Sequence, residues 1–362
     1  MKTKKILVSV LLTTAITALF SACDSKSDTP QVDPTISTGV YVLNEGKYKN
    51  NNASLTYYDL ATSTVTSDIF TLKNKRGLGD TGQDILKYGS KVYIAVYNSS
   101  LIEVLNAATG ISEKTIPMQN ASNQPSSPRS LAVFNGKVYI TLFDGHVAQL
   151  DTTSLLIEKT ISVGSNPDGI ALANNKLYVA NTGGLAAVND STISVIDPVS
   201  FTVTKTIKVV INPSVIKADA YGDLYVISLG NYTTIPFTLQ RIEAITGKVT
   251  VIPGLKPYNL TINGDIAYLY SYDYDVNWDA TNKTYTTYDV KNEQVVKSGF
   301  IPSTAIAGTP YSIDINPVTK DIYIGETDYV NTGKMNVFGQ DGTLKFSFVT
   351  GVNPRKTIFL TK

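Results

Sequence analysis

The chain has 362 residues, of which 43% are hydrophobic and 17% charged. Thirty-one Lys and Arg against thirty Asp and Glu leave a net charge of +1, without the basic excess of a general nucleic-acid binder. One Cys and one His exclude an intrachain disulfide, a Cys-cluster metal site and a His-pair zinc site.

The amino terminus reads as an address. Lys2, Lys4 and Lys5 precede an apolar run over residues 6–20, followed by Ser21, Ala22 and Cys23. The run is short for a bilayer span and fits a secretory signal. Residues 1–22 are therefore expected to be a signal peptide. Residues 23–38 are polar, carry Pro30 and Pro34, and read as a flexible tether.

From residue 39 one phrase recurs seven times, at residues 39–44, 91–96, 137–142, 176–181, 223–228, 265–270 and 321–326. Each copy alternates β-branched and aromatic residues around a tyrosine, from Tyr41 to Tyr323, and is expected to be a strand. A second strand, a short turn and a third strand follow each copy. A turn often marked by Pro, as at Pro128, Pro167 and Pro213, then leads into a short apolar strand before the next copy. Four strands in a period of about 40–50 residues indicate a propeller blade. The first copy lacks a preceding short strand, whereas the chain ends in one, at residues 354–360. The expectation is an all-β, seven-bladed β-propeller over residues 39–362, with four antiparallel strands per blade. Its C-terminal strand would pair into the N-terminal blade and remove the open edge. A solenoid is the alternative; it would need capping repeats and leaves the split first blade unexplained.

Several passages resemble known families. Phe20-Ser21-Ala22-Cys23 resembles a bacterial lipobox, which implies cleavage before Cys23, its lipidation and an outer-membrane anchor. Asp24 and Asp28 resemble the export signal of surface lipoproteins. A WD40 reading fails, because Trp-Asp occurs only at Trp278-Asp279. The passage around Asn166-Pro167-Asp168-Gly169, with residues 176–182 and 194–198, is similar to the YVTN/YncE-type propellers, often labelled surface-layer proteins. Residues 39–46 and 52–59, the Gly79-Asp80 turn and the lipobox look like the BtuG-type surface lipoproteins. That resemblance implies capture of cobalamin or a related corrinoid outside the cell and delivery to a TonB-dependent outer-membrane transporter.

The longest insertions are expected on one face of the disc: residues 44–54, 181–192, 229–238, 272–284 and 326–334 between second and third strands, and 72–83, 118–128 and 302–310 on the way into innermost strands. They carry Tyr48, Tyr97, Phe143, Tyr232, Phe237, Tyr272, Tyr274, Trp278 and Tyr329, aromatics suited to gripping a flat or sugar-like ligand. One residue per blade is expected to ring the channel mouth: Gln83, Arg129, Asp168, Ser214, Tyr258, Tyr311 and Arg355. Such residues could bind amides or a phosphate; equally, they could merely cap the channel, and the loop tyrosines could merely pack their loops. Asp273, Asp275, Asn277 and Asp279 resemble the start of a calcium loop, but Trp278 and Thr284 stand where Gly and Glu are needed. No Gly-x-Ser-x-Gly elbow or Walker A sequence occurs, and no catalytic set, metal or cofactor is expected. Three functions remain open: a corrinoid-capturing lipoprotein, a glycan- or protein-binding scaffold, and a propeller lyase or lactone hydrolase.

Overall fold

The computed structural model describes residues 36–361 except 185, 187 and 244. The signal peptide, Cys23 and all but the end of the tether lie outside the described residues. Each recurring phrase forms the second strand of a four-stranded antiparallel sheet, and there are seven such sheets among the described residues. The chain is a seven-bladed β-propeller. The second strands, such as Lys91–Val96 and Lys176–Asn181, are buried almost throughout, because neighbouring blades cover both of their faces. The outer strands are solvated, fully so at Gln294–Ser298.

The repeated tyrosines fasten blade to blade. Tyr93, Tyr139, Tyr225 and Tyr323 are essentially inaccessible. Tyr139 donates from Oη to the Pro198 carbonyl at 3.1 Å, and Tyr225 to that of Val290 at 3.2 Å, each reaching the next blade. A buried phenol gains from such a partner, which accounts for Tyr at these two positions. The buried Tyr93 hydroxyl has no partner among the described residues, and its ring packing holds that position.

Closure follows the expected route. Pro354–Thr361 lies antiparallel to Ser37–Asn44, with Val40 opposite Phe359 and Tyr41 opposite Ile358. The first strand begins at Ser37, inside the expected tether, and Thr38 Oγ1 donates to the Leu360 carbonyl at 3.1 Å. Beyond the strands, Asn353 Nδ2 donates to the Gly46 carbonyl at 2.8 Å.

Two segments differ from the sequence expectation. Residues after the three-residue outer strand Thr64–Thr66 turn into a short helix, Ile69–Asn74, capped by Asp68, which accepts from Thr71 N at 3.2 Å. Burial of Ile69 and Phe70 holds it against the blade, and packing of this kind outweighs local propensity. Residues 272–284, expected as a loop, instead extend a hairpin. Ile266–Tyr274 pairs with Ala280–Asp289 as far as Tyr274 opposite Ala280. The alternating Tyr268, Tyr270, Tyr272 and Tyr274 continue the strand period beyond the blade.

Candidate ligand-binding site

Six of the seven innermost strands begin with a register shift: between Gly82 and Asp84, Pro128 and Leu131, Pro167 and Ile170, Pro213 and Val215, Pro310 and Ser312, and beside Pro354. A bulge leaves a residue unpaired and re-aims its side chain. The residues in these bulges are those expected to ring the mouth. In the seventh blade of the ring Tyr258 precedes its strand, donating its N–H to the Tyr270 carbonyl at 2.9 Å. All seven, Gln83, Arg129, Asp168, Ser214, Tyr258, Tyr311 and Arg355, line one cavity of about 450 Å³.

One side of the mouth is charged. Arg129 makes a bidentate pair with Asp168, Nε to Oδ1 at 3.0 Å and Nη2 to Oδ2 at 3.1 Å, and Ser214 Oγ donates to the same carboxylate at 2.7 Å. The guanidinium lies 5.0 Å from the ring centroids of both Tyr97 and Phe143, a geometry that favours a cation. Burial pushes the Asp168 carboxyl up, but Arg129, Ser214 and Arg355 outweigh it and hold the group below its ordinary range. Arg355 donates from Nη1 to Glu45 Oε2 at 3.0 Å and from Nε to the Gln83 carbonyl at 3.0 Å, and Tyr311 Oη donates to Glu45 at 2.5 Å. Burial lowers the Arg355 affinity for its proton, yet Glu45 and its neighbours more than offset this and raise it. Burial, then Glu45, pushes the Tyr311 phenol up, so it remains a donor.

The other side is aromatic. Tyr258 stacks on Tyr272 at 3.9 Å, nearly parallel, and Phe237 approaches Tyr258 at 4.7 Å. Tyr232 and Phe237 line the cavity with them. Tyr274 Oη and Tyr329 Oη lie 2.9 Å apart, and Tyr329 meets Tyr311 edge-on at 5.8 Å. Burial pushes the Tyr258 phenol up to about 12, so this wall is neutral at physiological pH.

Six of the predicted loop aromatics stand outside the cavity lining. Tyr97 and Phe143 pack on Arg129, Tyr274 and Tyr329 join the aromatic wall, and Tyr48 and Trp278 lie further out. Trp278 is 76% exposed at the hairpin tip, 5.7 Å from the Tyr274 ring. Tyr48 is 58% exposed, with Lys49 Nζ 5.2 Å from its ring. Tyr232, Trp278 and Tyr329 all have left-handed backbone, with φ of 60°, 67° and 62°. Bulky residues adopt this only at a cost, and such strain concentrates at functional sites. The carboxylates of the calcium-like segment are engaged within the hairpin. Asp275 accepts from the N–H groups of Asn277 and Asp279 at 2.8 and 2.9 Å, and Asp273 from Asn282 Nδ2 at 3.0 Å. Among the described residues no group of three or more His, Cys, Asp or Glu converges as for a metal ion.

Sequence reasoning missed Glu45, Tyr270 and the charged residues deeper in the channel. Asp84, Lys217, Asp314 and Lys356 all lie on innermost strands. A charge within a short apolar strand was the available signal.

Solved structures with the same architecture include hydrazine synthase of Kuenenia stuttgartiensis, 18% identical, with a TM-score of 0.59 over 74% of this chain and 85% of that one. The Pan2 WD40 domain of Neurospora crassa is 13% identical, with a TM-score of 0.55 over 76% and 81%. A chain of the mitotic checkpoint complex is 12% identical, with a TM-score of 0.56 over 93% and 89%. At these identities the likeness is one of fold alone. No curated protein matches the chain. Residues 38–343 match the family model described as "Domain of unknown function (DUF5074)", and the chain belongs to that family.

Proposed function

We propose that this protein is a non-enzymatic, lipid-anchored surface protein whose propeller captures a small ligand, a corrinoid in the first instance. The observation that carries the reading is the convergence of the seven ring residues and an aromatic wall on one cavity. Pockets of 300–1,000 Å³ enclose a drug-sized group. A corrinoid is larger, so its bulk would lie across the mouth with one edge entering. The flat macrocycle would rest on Tyr258, Tyr272 and Tyr232, and its amide rim would face Arg129, Arg355 and Gln83. The strained, exposed Trp278 and Tyr329 would close over it. In this reading Cys23 holds the protein to the outer membrane, facing outward, and the ligand passes to a TonB-dependent transporter. The sequence resemblance supports that route.

Calorimetric titration with cyanocobalamin tests the proposal. Binding weakened by Tyr258→Ala is the expected result; no heat at micromolar protein eliminates the corrinoid. A second reading, glycan binding, is favoured by the exposed Tyr48 and Trp278 lying beyond the cavity. A glycan array positive without corrinoid binding would select it.

A further inference from the structure

Below the ring, the channel holds four charged side chains from four innermost strands. Asp84, Lys217 and Lys356 line the cavity, and Asp314 belongs to the same group. Three of the four are satisfied. Lys356 pairs with Asp84, whose other oxygen accepts from Leu131 N at 2.8 Å. Asp314 Oδ2 accepts from Thr357 N at 2.7 Å. Lys217 is the exception, with no hydrogen bond or close ion pair among the described residues.

Lys217 is half-buried in the channel, so its ammonium gives up part of its hydration without a protein acceptor in return. Burial accordingly pulls the Lys217 amine below its ordinary range, and the positive charge of Lys356 adds to this; Asp314 and Asp84 oppose it only in part. The groups above are balanced: Arg129 against Asp168, Arg355 against Glu45. Within the group of four, Lys356 is paired with Asp84, which leaves Asp314 as the counter-charge of Lys217 without a direct bond to it; once Asp314 takes a proton, the positive charge of Lys217 is unmatched. Lys217 lies three residues along its strand from Ser214, about 7–10 Å deeper.

We propose that Lys217, with Lys356 beside it, forms an oxyanion subsite at the channel floor, taking a phosphate-like or carboxylate group of a ligand that enters through the ring. The subsite is independent of the corrinoid reading and can be probed with simple anions. Its affinity depends on pH through its neighbours. Burial raises Asp314 to about 6, against the opposing pull of Lys356 and Lys217. An arriving anion raises both Asp314 and Lys217 further, so protons are taken up on binding and affinity falls as pH rises. Asp84, held by Lys356, completes the set of charges facing Lys217.

The test is calorimetric titration of the full chain with sulfate, whose charge is constant between about pH 5 and pH 8, and with acetate in a second arm. Sulfate binding alone indicates a phosphate-like group and acetate binding a carboxylate; either supports the subsite. Lys217→Met is expected to weaken binding about tenfold or more, as loss of a charged hydrogen bond should. Lys217→Arg should retain it, and Asp314→Asn should flatten the pH dependence. In the wild-type chain, sulfate should protect Lys217 from acylation by an activated ester, read by mass spectrometry, which needs no variant to fold. Absence of heat with both anions, unchanged binding by Lys217→Met, or unprotected acylation overturns the proposal. A chain that binds cyanocobalamin but neither anion would refute the subsite and leave the corrinoid reading standing.

Discussion

Replacing Arg129 by Met tests whether the ring is held by its ion pair or by the packing beneath it. The Arg129 and Asp168 side chains are 18% and 12% exposed, so solvent screens the pair little. Removing the guanidinium leaves Asp168 with the Ser214 hydroxyl as its remaining side-chain donor and empties the space between Tyr97 and Phe143. Breaking a buried pair from one side costs about 3–5 kcal/mol, and each cation–π contact contributes about 0.5–1 kcal/mol. Met refills part of the aromatic slot, and channel water reaches Asp168, so the net loss is about 2–4 kcal/mol. Asp168→Asn keeps an acceptor for Arg129 and should cost about 1–2 kcal/mol. The double variant leaves no orphaned charge and should lose about 2 kcal/mol less than the sum of the two. Urea unfolding followed by far-UV circular dichroism measures all four proteins; the only Trp, exposed on the hairpin tip, reports poorly on the blades. The sign of the pH dependence follows from the depressed Asp168 carboxyl. Its contribution is complete above the unfolded value, about 3.9, and is lost as pH falls through the lower folded value. Additivity within about 0.5 kcal/mol at pH 7 would refute the reasoning and leave Arg129 a surface ornament of the channel.

Truncation after Asn353 removes the strand that completes the first blade and uncovers the Ser37–Asn44 edge. It should abolish cooperative unfolding and produce association on gel filtration; a monomeric, cooperatively folded truncation would contradict the closure argument. Asp314→Asn mimics the protonated carboxyl. Because the folded value is raised from 3.8 to about 6, ionisation penalises the native state increasingly between those values. The variant should therefore match wild type near pH 4 and be more stable at pH 7.5 by about 2–3 kcal/mol, as urea unfolding at the two pH values will show. Trp278→Gly relieves a left-handed φ of 67°. It should stabilise or leave unchanged the melting temperature, since about 1 kcal/mol of strain is removed against some gain in unfolded entropy, while weakening ligand binding by titration. A clear loss of stability would show that the indole holds the hairpin.

The blade count, the strand order and the closure were legible because they rest on short-range patterns. Period-2 alternation around Tyr93 or Tyr178 marks a strand wherever it occurs, and a terminal strand lacking a successor can only complete a blade lacking a predecessor. The ring was legible for a related reason. A Pro at the strand start, as at Pro128 and Pro213, fixes where the bulge falls, and the next residue is then turned to the channel. What could not be read depends on contacts between segments far apart in sequence. The Ile69–Asn74 helix forms because Phe70 finds a buried seat, which no local pattern announces. The hairpin beyond Tyr272 was mistaken for a loop because Asp273, Asp275 and Asn277 are turn formers. Yet only residues 275–279 are needed to turn the chain. Glu45 was invisible as a site residue because its partners, Tyr311 and Arg355, are 266 and 310 positions away.

The division of the mouth into a charged side and an aromatic side is not a property of the repeat, which is nearly uniform in the strands that carry the core. It is written where the repeat imposes least. A residue in the bulge at the head of an innermost strand faces the channel, with the blade core behind it, so its identity is free of the packing rules that keep Tyr93 or Tyr225 constant. Charged groups occupy such positions only in mutually neutralising sets, Arg129 with Asp168 and Arg355 with Glu45, because an enclosed charge must be matched. Aromatics carry no such restriction, and stacking lets Tyr258 and Tyr272 stand together. The outcome is a polarised mouth around a near-symmetric scaffold. A ligand with one flat apolar face and one polar edge gains from both sides in a single orientation, whereas a uniformly polar ligand gains from one side only and is held without a fixed pose.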